Sequence, residues 1–197
     1  VVFMVICFIG DSLTQGIGDE LALGWVGRLA RESFARDAQR ARSLTVCNMG
    51  VRSDTSACIA ARWRQETDRR RRPGEDMAFV FSFGAADGKF DLPAEETLSA
   101  SRAVLAEAAS LGRTLYIAPP PAFDAAWSAH IRQVGQALCG ICAELDVPSF
   151  DFHQPLSRQA DYMASLQADG IHPDAAGYER MAGLLHGFDP LTRLLGL

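Results

Sequence analysis

Five short apolar runs, each followed by a longer stretch with helical spacing, constrain this chain more than any other feature in it. The runs cover residues 2–9, 44–49, 77–83, 114–118 and 149–152. They have the length and apolar content of buried strands. Amphipathic stretches fill the intervals at 21–38, 55–72, 94–111 and 125–145, and a last one follows at 175–185. Start and stop signals agree, with Asp54 and Pro93 near helix starts and Gly112 at a helix end. Strand–helix alternation implies a parallel sheet covered on both faces, because each crossover lays a helix on one side of it. The expected fold is an α/β three-layer sandwich of about five parallel strands. No repeat or low-complexity linker interrupts the series, and 197 residues suit one domain, residues 1–197, with a substantial core.

In such folds ligands bind beyond the C-terminal ends of the strands, where the strand order reverses. Four of the five runs end in unusual polar or Gly/Pro-rich sequence: Gly10-Asp11-Ser12-Leu13, Asn48-Met49-Gly50, Gly84-Ala85-Ala86-Asp87 and Pro119-Pro120-Pro121. A further cluster, Asp169-Gly170-Ile171-His172-Pro173, precedes the last helix. The fold thus gathers several loops of chemical interest on one sheet edge.

Ser12 follows the first strand by two residues, and Gly10 permits a sharp turn there. A serine hydroxyl is a weak nucleophile until a base takes its proton, so a partner decides its meaning. Of the four histidines, His130 and His186 fall inside helical patterns, and His153 ends a strand and stands in reserve. His172 lies in a tight loop with Asp169 three residues earlier, a spacing that lets the carboxylate fold back onto the imidazole. Such a carboxylate fixes the tautomer and stabilises the imidazolium formed in catalysis. The competing structural reading makes the pair a turn leading into a helix before Pro173.

Composition acts by exclusion. A formal net charge of −5 argues against a general nucleic-acid binder. The run Arg69, Arg70, Arg71 and Arg72 sits before Pro73-Gly74, where cations complement the negative end of a stopping helix. Of the five cysteines, Cys7 and Cys47 lie in strands. Cys139 and Cys142 form a C-x-x-C inside a helix, away from the N-terminal position that activates redox thiols, and no second pair completes a zinc site. Core packing is the favoured reading for these cysteines. No stretch approaches the ~20 apolar residues of a membrane span, and the opening residues lack the basic leader of a signal peptide. The cytoplasm is the favoured compartment. The sequence sets no oligomeric state.

The motifs together resemble those of the GDSL/SGNH hydrolases. Ile9-Gly10-Asp11-Ser12-Leu13-Thr14 resembles the family's first block, Asn48-Met49-Gly50 followed by Arg52-Ser53-Asp54-Thr55 its second, and Asp169-Gly170-Ile171-His172-Pro173 its last. The resemblance implies a flavodoxin-like fold and cleavage of small-molecule esters or thioesters through an acyl-enzyme, with a small or medium acyl group. It implies Ser12 as nucleophile, His172 as base and Asp169 as third member of the triad. Ser12 and Gly50 would offer backbone N–H groups to the oxyanion, and no metal or organic cofactor is implied. The third block departs from the pattern: Ala86 stands where the family carries an Asn whose side chain is an oxyanion donor. Loss of one such donor typically costs about a hundredfold to a thousandfold in turnover. A donor from elsewhere, an activated substrate and a weakened or altered enzyme all accommodate it. Phe90, Phe123 and Trp127 follow the third and fourth strands, either walling an acyl pocket or stapling the loops.

Two other classes compete. A catalytically weak or inactive binding protein on the same scaffold rests on Ala86 alone. A nucleotide or flavin module is disfavoured, because the first loop lacks both Gly-x-Gly-x-x-Gly and a Gly-Lys-Ser/Thr. A Gly-x-Ser-x-Gly elbow is also missing.

Overall fold

The computed structural model describes residues 3–90 and 92–197. Val2, at the head of the first expected strand, lies outside them. The strands are β1 (Met4–Gly10), β2 (Leu44–Gly50), β3 (Asp76–Ser82), β4 (Arg113–Ala118) and β5 (Ser149–Asp151). All pair in parallel, in the order β2-β1-β3-β4-β5. Helices α1 (Ser12–Gln15), α2 (Gly24–Arg36) and α3 (Arg40–Ser43) separate β1 from β2, and α4 (Ser56–Asp68) precedes β3. Then come α5 (Ala85–Lys89) and α6 (Ala94–Leu111) before β4, and α7 (Ala125–Glu144) before β5. The chain closes with α8 (His153–Ser157), α9 (Ala160–Ser165), α10 (Ala175–Leu185) and α11 (Asp189–Leu195).

Strand pleating divides the core. Ile6 and Phe8 of β1, with Val80 and Ile117, pack against Trp25 of α2 and Tyr178 and Leu185 of α10. Val5, Cys7 and Ile9 face the other way with Phe79 and Phe81, under Ile59 and Trp63 of α4, Leu105 of α6 and Leu138 of α7. This is the three-layer arrangement expected from the alternation. Cys7 and Cys142 are buried in the second layer, and burial pushes the Cys142 thiol up to about 12. The arginine run begins at the end of α4, where Arg70 donates to the Glu66 carbonyl at 2.6 Å.

Several boundaries differ from expectation: α2 is shorter than 21–38, α4 ends at Asp68 rather than 72, and β3 ends at Ser82 rather than Phe83. The N-cap of α4 is Thr55, whose hydroxyl accepts from Cys58 N, rather than Asp54, whose carboxylate instead pairs with Arg62 at 2.6 Å. Phe152 leaves the last strand and begins α8. The short helices α1, α3, α5, α8, α9 and α11 were not expected, because segments of four to seven residues hold too few turns to reveal a period of 3.6.

β1 lies between β2 and β3, with the chain leaving it toward β2 on one side and returning to β3 on the other, so the reversal of strand order falls at β1. Ser12 begins α1 directly beyond that point. α1 is held there by close approach to β2: a Cβ on Gly50 would lie 2.2 Å from Gln15 N and 2.7 Å from Asp11 O. Gly140, in the interior of α7, has nothing within 4 Å of its Cβ direction. We expect Gly50→Ala to lower the unfolding free energy by about 1–3 kcal/mol. Gly140→Ala should raise it by about 0.5–1 kcal/mol. Urea midpoints at constant m value measure both, and equal effects at the two positions would contradict the packing assigned to Gly50.

Candidate active site

The loop after β1 is built by two short-range devices. Asp11 caps α1 by accepting Leu13 N at 2.9 Å. Gly10 leaves no room for a side chain, since a Cβ there would lie 2.1 Å from both Ser82 O and Thr14 Oγ1. Ser12 thereby occupies the first position of α1, where no helical carbonyl satisfies its N–H. The second half of the site comes from the loop between α9 and α10. There Asp169 Oδ1 accepts Ile171 N at 3.1 Å and His172 N at 2.9 Å, a closed turn that sets the imidazole beside the carboxylate. His172 Nδ1 stands 2.6 Å from Asp169 Oδ2, and Nε2 stands 2.7 Å from Ser12 Oγ. The structure therefore brings Ser12, His172 and Asp169 into one hydrogen-bonded chain across 160 residues of sequence. A donor hydrogen on Nδ1 toward the carboxylate leaves Nε2 as the acceptor for the serine hydroxyl.

Electrostatics separate the two nearby aspartates. Partial burial acts to raise the Asp169 carboxyl, but hydrogen bonds from the His172 ring and from the His172 and Ile171 N–H groups outweigh it and hold it down at about 2. Asp11 is fully enclosed, and desolvation pushes it up to about 7 against the lowering hydrogen bond from Leu13 N, with the charge of Asp87 adding to the rise.

A cavity of about 340 Å³ opens over Ser12 and His172, with Ala86, Trp127 and Ile171 in its wall and Arg52, Ser53 and Lys89 around it. Ala86 faces it from the start of α5, and its neighbour Asp87 turns inward. There the buried Asp87 carboxylate accepts Ser56 Oγ at 2.6 Å and Thr97 Oγ1 at 3.2 Å, tying the loops after β2 and β3 together. A second cavity, of about 400 Å³, opens around Arg113, Asp146 and Arg193, and its lining contains no Ser, Cys or His. Among the described residues no group of three His, Cys, Asp or Glu side chains could hold a metal ion. No helix among them is long and apolar enough to cross a membrane.

Three expected placements are corrected. The Gly50 N–H donates to Asn48 Oδ1 at 3.0 Å, and Gly50 does not line the cavity. Its glycine identity answers to the close approach of α1, and Ser53 is the residue that reaches the cavity from this loop. Ser53 has φ +65°, a left-handed conformation uncommon for a serine. Phe90 and Phe123 are 50% and 60% exposed and do not line the cavity. Phe123 instead contributes its backbone N–H, which donates to Gly170 O at 2.7 Å beside Asp169. Only Trp127 of the three aromatics lines the cavity, with Nε1 donating to Ala85 O at 3.0 Å. His153, the reserve base, is held away from Ser12 by Ser128 Oγ and Ser128 O, at 3.0 and 2.9 Å from its Nε2.

A model of the GDSL-like lipase/acylhydrolase family matches residues 8–180. Among curated proteins, none matches the sequence. Solved structures do match. An acetylxylan esterase of Geobacillus stearothermophilus is 20% identical, with 98% of this chain and 94% of that chain covered and a TM-score of 0.75. A lipase/acylhydrolase of Enterococcus faecalis is 24% identical, with 93% of each chain covered and a TM-score of 0.75. An alpha/beta hydrolase enzyme from the metagenome of Lake Arreo is 23% identical, with 98% and 94% covered and a TM-score of 0.74. At these identities the likeness to solved structures establishes the fold.

The raised Asp11 carboxyl has a consequence for stability. A carboxyl whose pKa is higher folded than unfolded favours the folded state at low pH. That contribution is lost as pH rises from about 4 through about 7. An asparagine keeps the acceptor for Leu13 N and does not titrate. We expect the stability of the natural chain, relative to Asp11→Asn, to fall by up to about 4 kcal/mol across that window. Thermal or urea unfolding of both proteins against pH checks this; parallel profiles would show that Asp11 ionises normally.

Proposed function

We propose that this chain, which belongs to the GDSL-like lipase/acylhydrolase family and is a carboxylic ester hydrolase, works through a covalent acyl-Ser12 intermediate. The observation that carries the reading is the continuous chain Ser12 Oγ, His172 Nε2, His172 Nδ1, Asp169 Oδ2, with contacts of 2.7 and 2.6 Å. Ser12 Oγ attacks the acyl carbon as His172 Nε2 takes its proton, and Asp169 holds the resulting imidazolium. Collapse of the tetrahedral intermediate breaks the bond to the leaving alcohol or thiol, which receives the proton from His172. Water then attacks the acyl-serine, gives a proton to His172 and releases the carboxylic acid, while the proton returns to Ser12.

The oxyanion falls to the Ser12 N–H at the start of α1, where the helix dipole also favours negative charge. Ser53, in the cavity wall with its left-handed backbone, is the source of a second donor in place of Gly50. The Ala86 methyl supplies none. A cavity of about 340 Å³ walled by Trp127 and Ile171 suits a small or medium acyl group. The intact hydrogen-bonded chain weighs against a binding protein without turnover, since binding alone needs no base aligned on a serine.

Initial rates on p-nitrophenyl acetate, butyrate and octanoate test this. We expect acetate and butyrate to outrun octanoate, and Ser12→Ala to reduce turnover at least about a thousandfold. Equal rates in both proteins, with no fluorophosphonate adduct on Ser12, would defeat the mechanism. Ala86→Asn restores an amide to the oxyanion wall and should raise kcat about tenfold or more with little change in KM.

A further inference from the structure

Two cations line the cavity without an ion-pair partner among the described residues. Arg52 follows β2 and Lys89 closes α5 beyond β3, so they stand beyond the ends of the two strands that flank β1 and its Ser12. Both are exposed. Neither joins any of the ion pairs formed among the described residues, which engage Arg28, Arg62, Arg64, Arg102, Arg180 and others instead. Lys89 is the only lysine in the chain. Its Nζ lies 5.9 Å from the centroid of the Phe90 ring, an arrangement that steadies an ammonium over an aromatic face.

The carboxylates that line the cavity do not cancel this charge. Asp169 is committed to His172, and Asp11 is enclosed beneath the loop it caps, at 3% exposure. The chain as a whole carries 24 acidic against 19 basic residues, so it repels anions at long range. Two cations around its serine, in no ion pair among the described residues, are therefore a local feature that opposes the global charge.

Resting on the serine-esterase reading above, we propose that the substrate is an ester that also carries an anionic group, bound by Arg52 and Lys89 while its carbonyl lies at Ser12. Arginine offers a planar fork and lysine a mobile point charge, a combination suited to a carboxylate or a phosphate. Both cations are solvated, so each contributes modestly, and together they correspond to a preference of about tenfold at low salt. The preference weakens as ions screen it.

The test compares charged esters with neutral counterparts of the same shape. 3-Acetoxybenzoate and 3-acetoxyphenyl phosphate against 3-acetoxybenzamide place the charge on the leaving group. The monophenyl ester of adipic acid against the phenyl ester of adipamic acid places it on the acyl group. We expect a kcat/KM ratio of about ten or more for the charged member in at least one comparison, falling with ionic strength. The ratio should drop to near one in Arg52→Gln/Lys89→Gln and below one in Arg52→Glu/Lys89→Glu. Ratios near one throughout, with neutral esters turned over and fluorophosphonate bound to Ser12, would overturn the anionic substrate and leave the serine mechanism standing. A preference that survives both double substitutions would overturn the roles of Arg52 and Lys89. Absence of all turnover and of Ser12 labelling would overturn the mechanism, and this proposal with it.

Discussion

The buried ion pair of Arg28 with Asp19 is the interaction on which the site depends, because it fastens the two halves of the site to each other. Asp19 lies in the loop between α1, which carries Ser12, and α2. Its carboxylate accepts Leu21 N, Leu23 N and Gly24 N as well as Arg28. Arg28 in turn donates to Ala175 O at 2.9 Å, in the first turn of α10, three residues beyond His172. A buried pair gains little net energy unless every remaining donor and acceptor is satisfied. Here the satisfaction is nearly complete, and burial acting to raise the Asp19 carboxyl is outweighed by these contacts, which hold it down at about 2. Supporting contacts run beside it. Ala175 N donates to Glu20 at 2.8 Å, and Tyr178 Oη donates to Ile17 O at 2.8 Å. Gly18 permits the backbones to close, since a Cβ there would lie 2.8 Å from Pro173 O. The 2.7 Å contact between Ser12 and His172 follows from this clamp rather than from any attraction strong enough to form it alone.

The opposite wall is fixed by another arginine. Arg62 Nη2 donates to Gly10 O at 3.0 Å and Met49 O at 2.9 Å, and its Nε pairs with Asp54 at 2.6 Å. One guanidinium therefore pins the ends of β1 and β2 and the residue after Ser53. The buried Asp87 network joins the same loop to α5. Because Asp87 is buried and Arg62 is held by four acceptors, the wall is preorganised, the condition under which the oxyanion donors proposed above would act without reorganisation.

These supports explain which parts of the site were legible in the sequence. The turn that exposes Ser12 and the Asp169–His172 pair were readable because each rests on short-range geometry, a turn after a strand and a carboxylate three residues before an imidazole, whereas the meeting of Ser12 with His172 spans 160 residues and depends on the fold. The strands were readable because burial on both faces makes them continuous apolar runs, and the long helices because burial of one face imposes a period. Gly50 was misread because a glycine in a loop signals either a donated N–H or a close approach, and only the position of Gln15 decides between them. Ser53 falls within the second block but its role was not legible, since a left-handed serine has the same letter as any other. Phe90 and Phe123 were candidates for the pocket wall or for loop staples because their strands end beside the pocket. Ring direction depends on how α5 and the Gly170 loop are held, and that information lies in tertiary contacts.

On the serine mechanism and anionic substrate proposed above, Ala86 and the two cations of the cavity bear on each other through the energetics of catalysis. An acyl-transfer site short of one oxyanion donor stabilises its transition state less, by about 3 kcal/mol for a typical donor. Binding energy from parts of a substrate remote from the reacting carbonyl offsets such a deficit when it holds the carbonyl in the attacking geometry. Arg52 and Lys89 lie beyond the ends of the strands that neighbour β1, where a distal anion held by both would restrict the position of the ester between them. Small neutral esters offer nothing to these side chains, so the missing donor weighs most heavily on them. Residues that support the wall and residues that grip the substrate thus contribute to the same barrier: the first by fixing the donors that remain, the second by fixing the carbonyl against them.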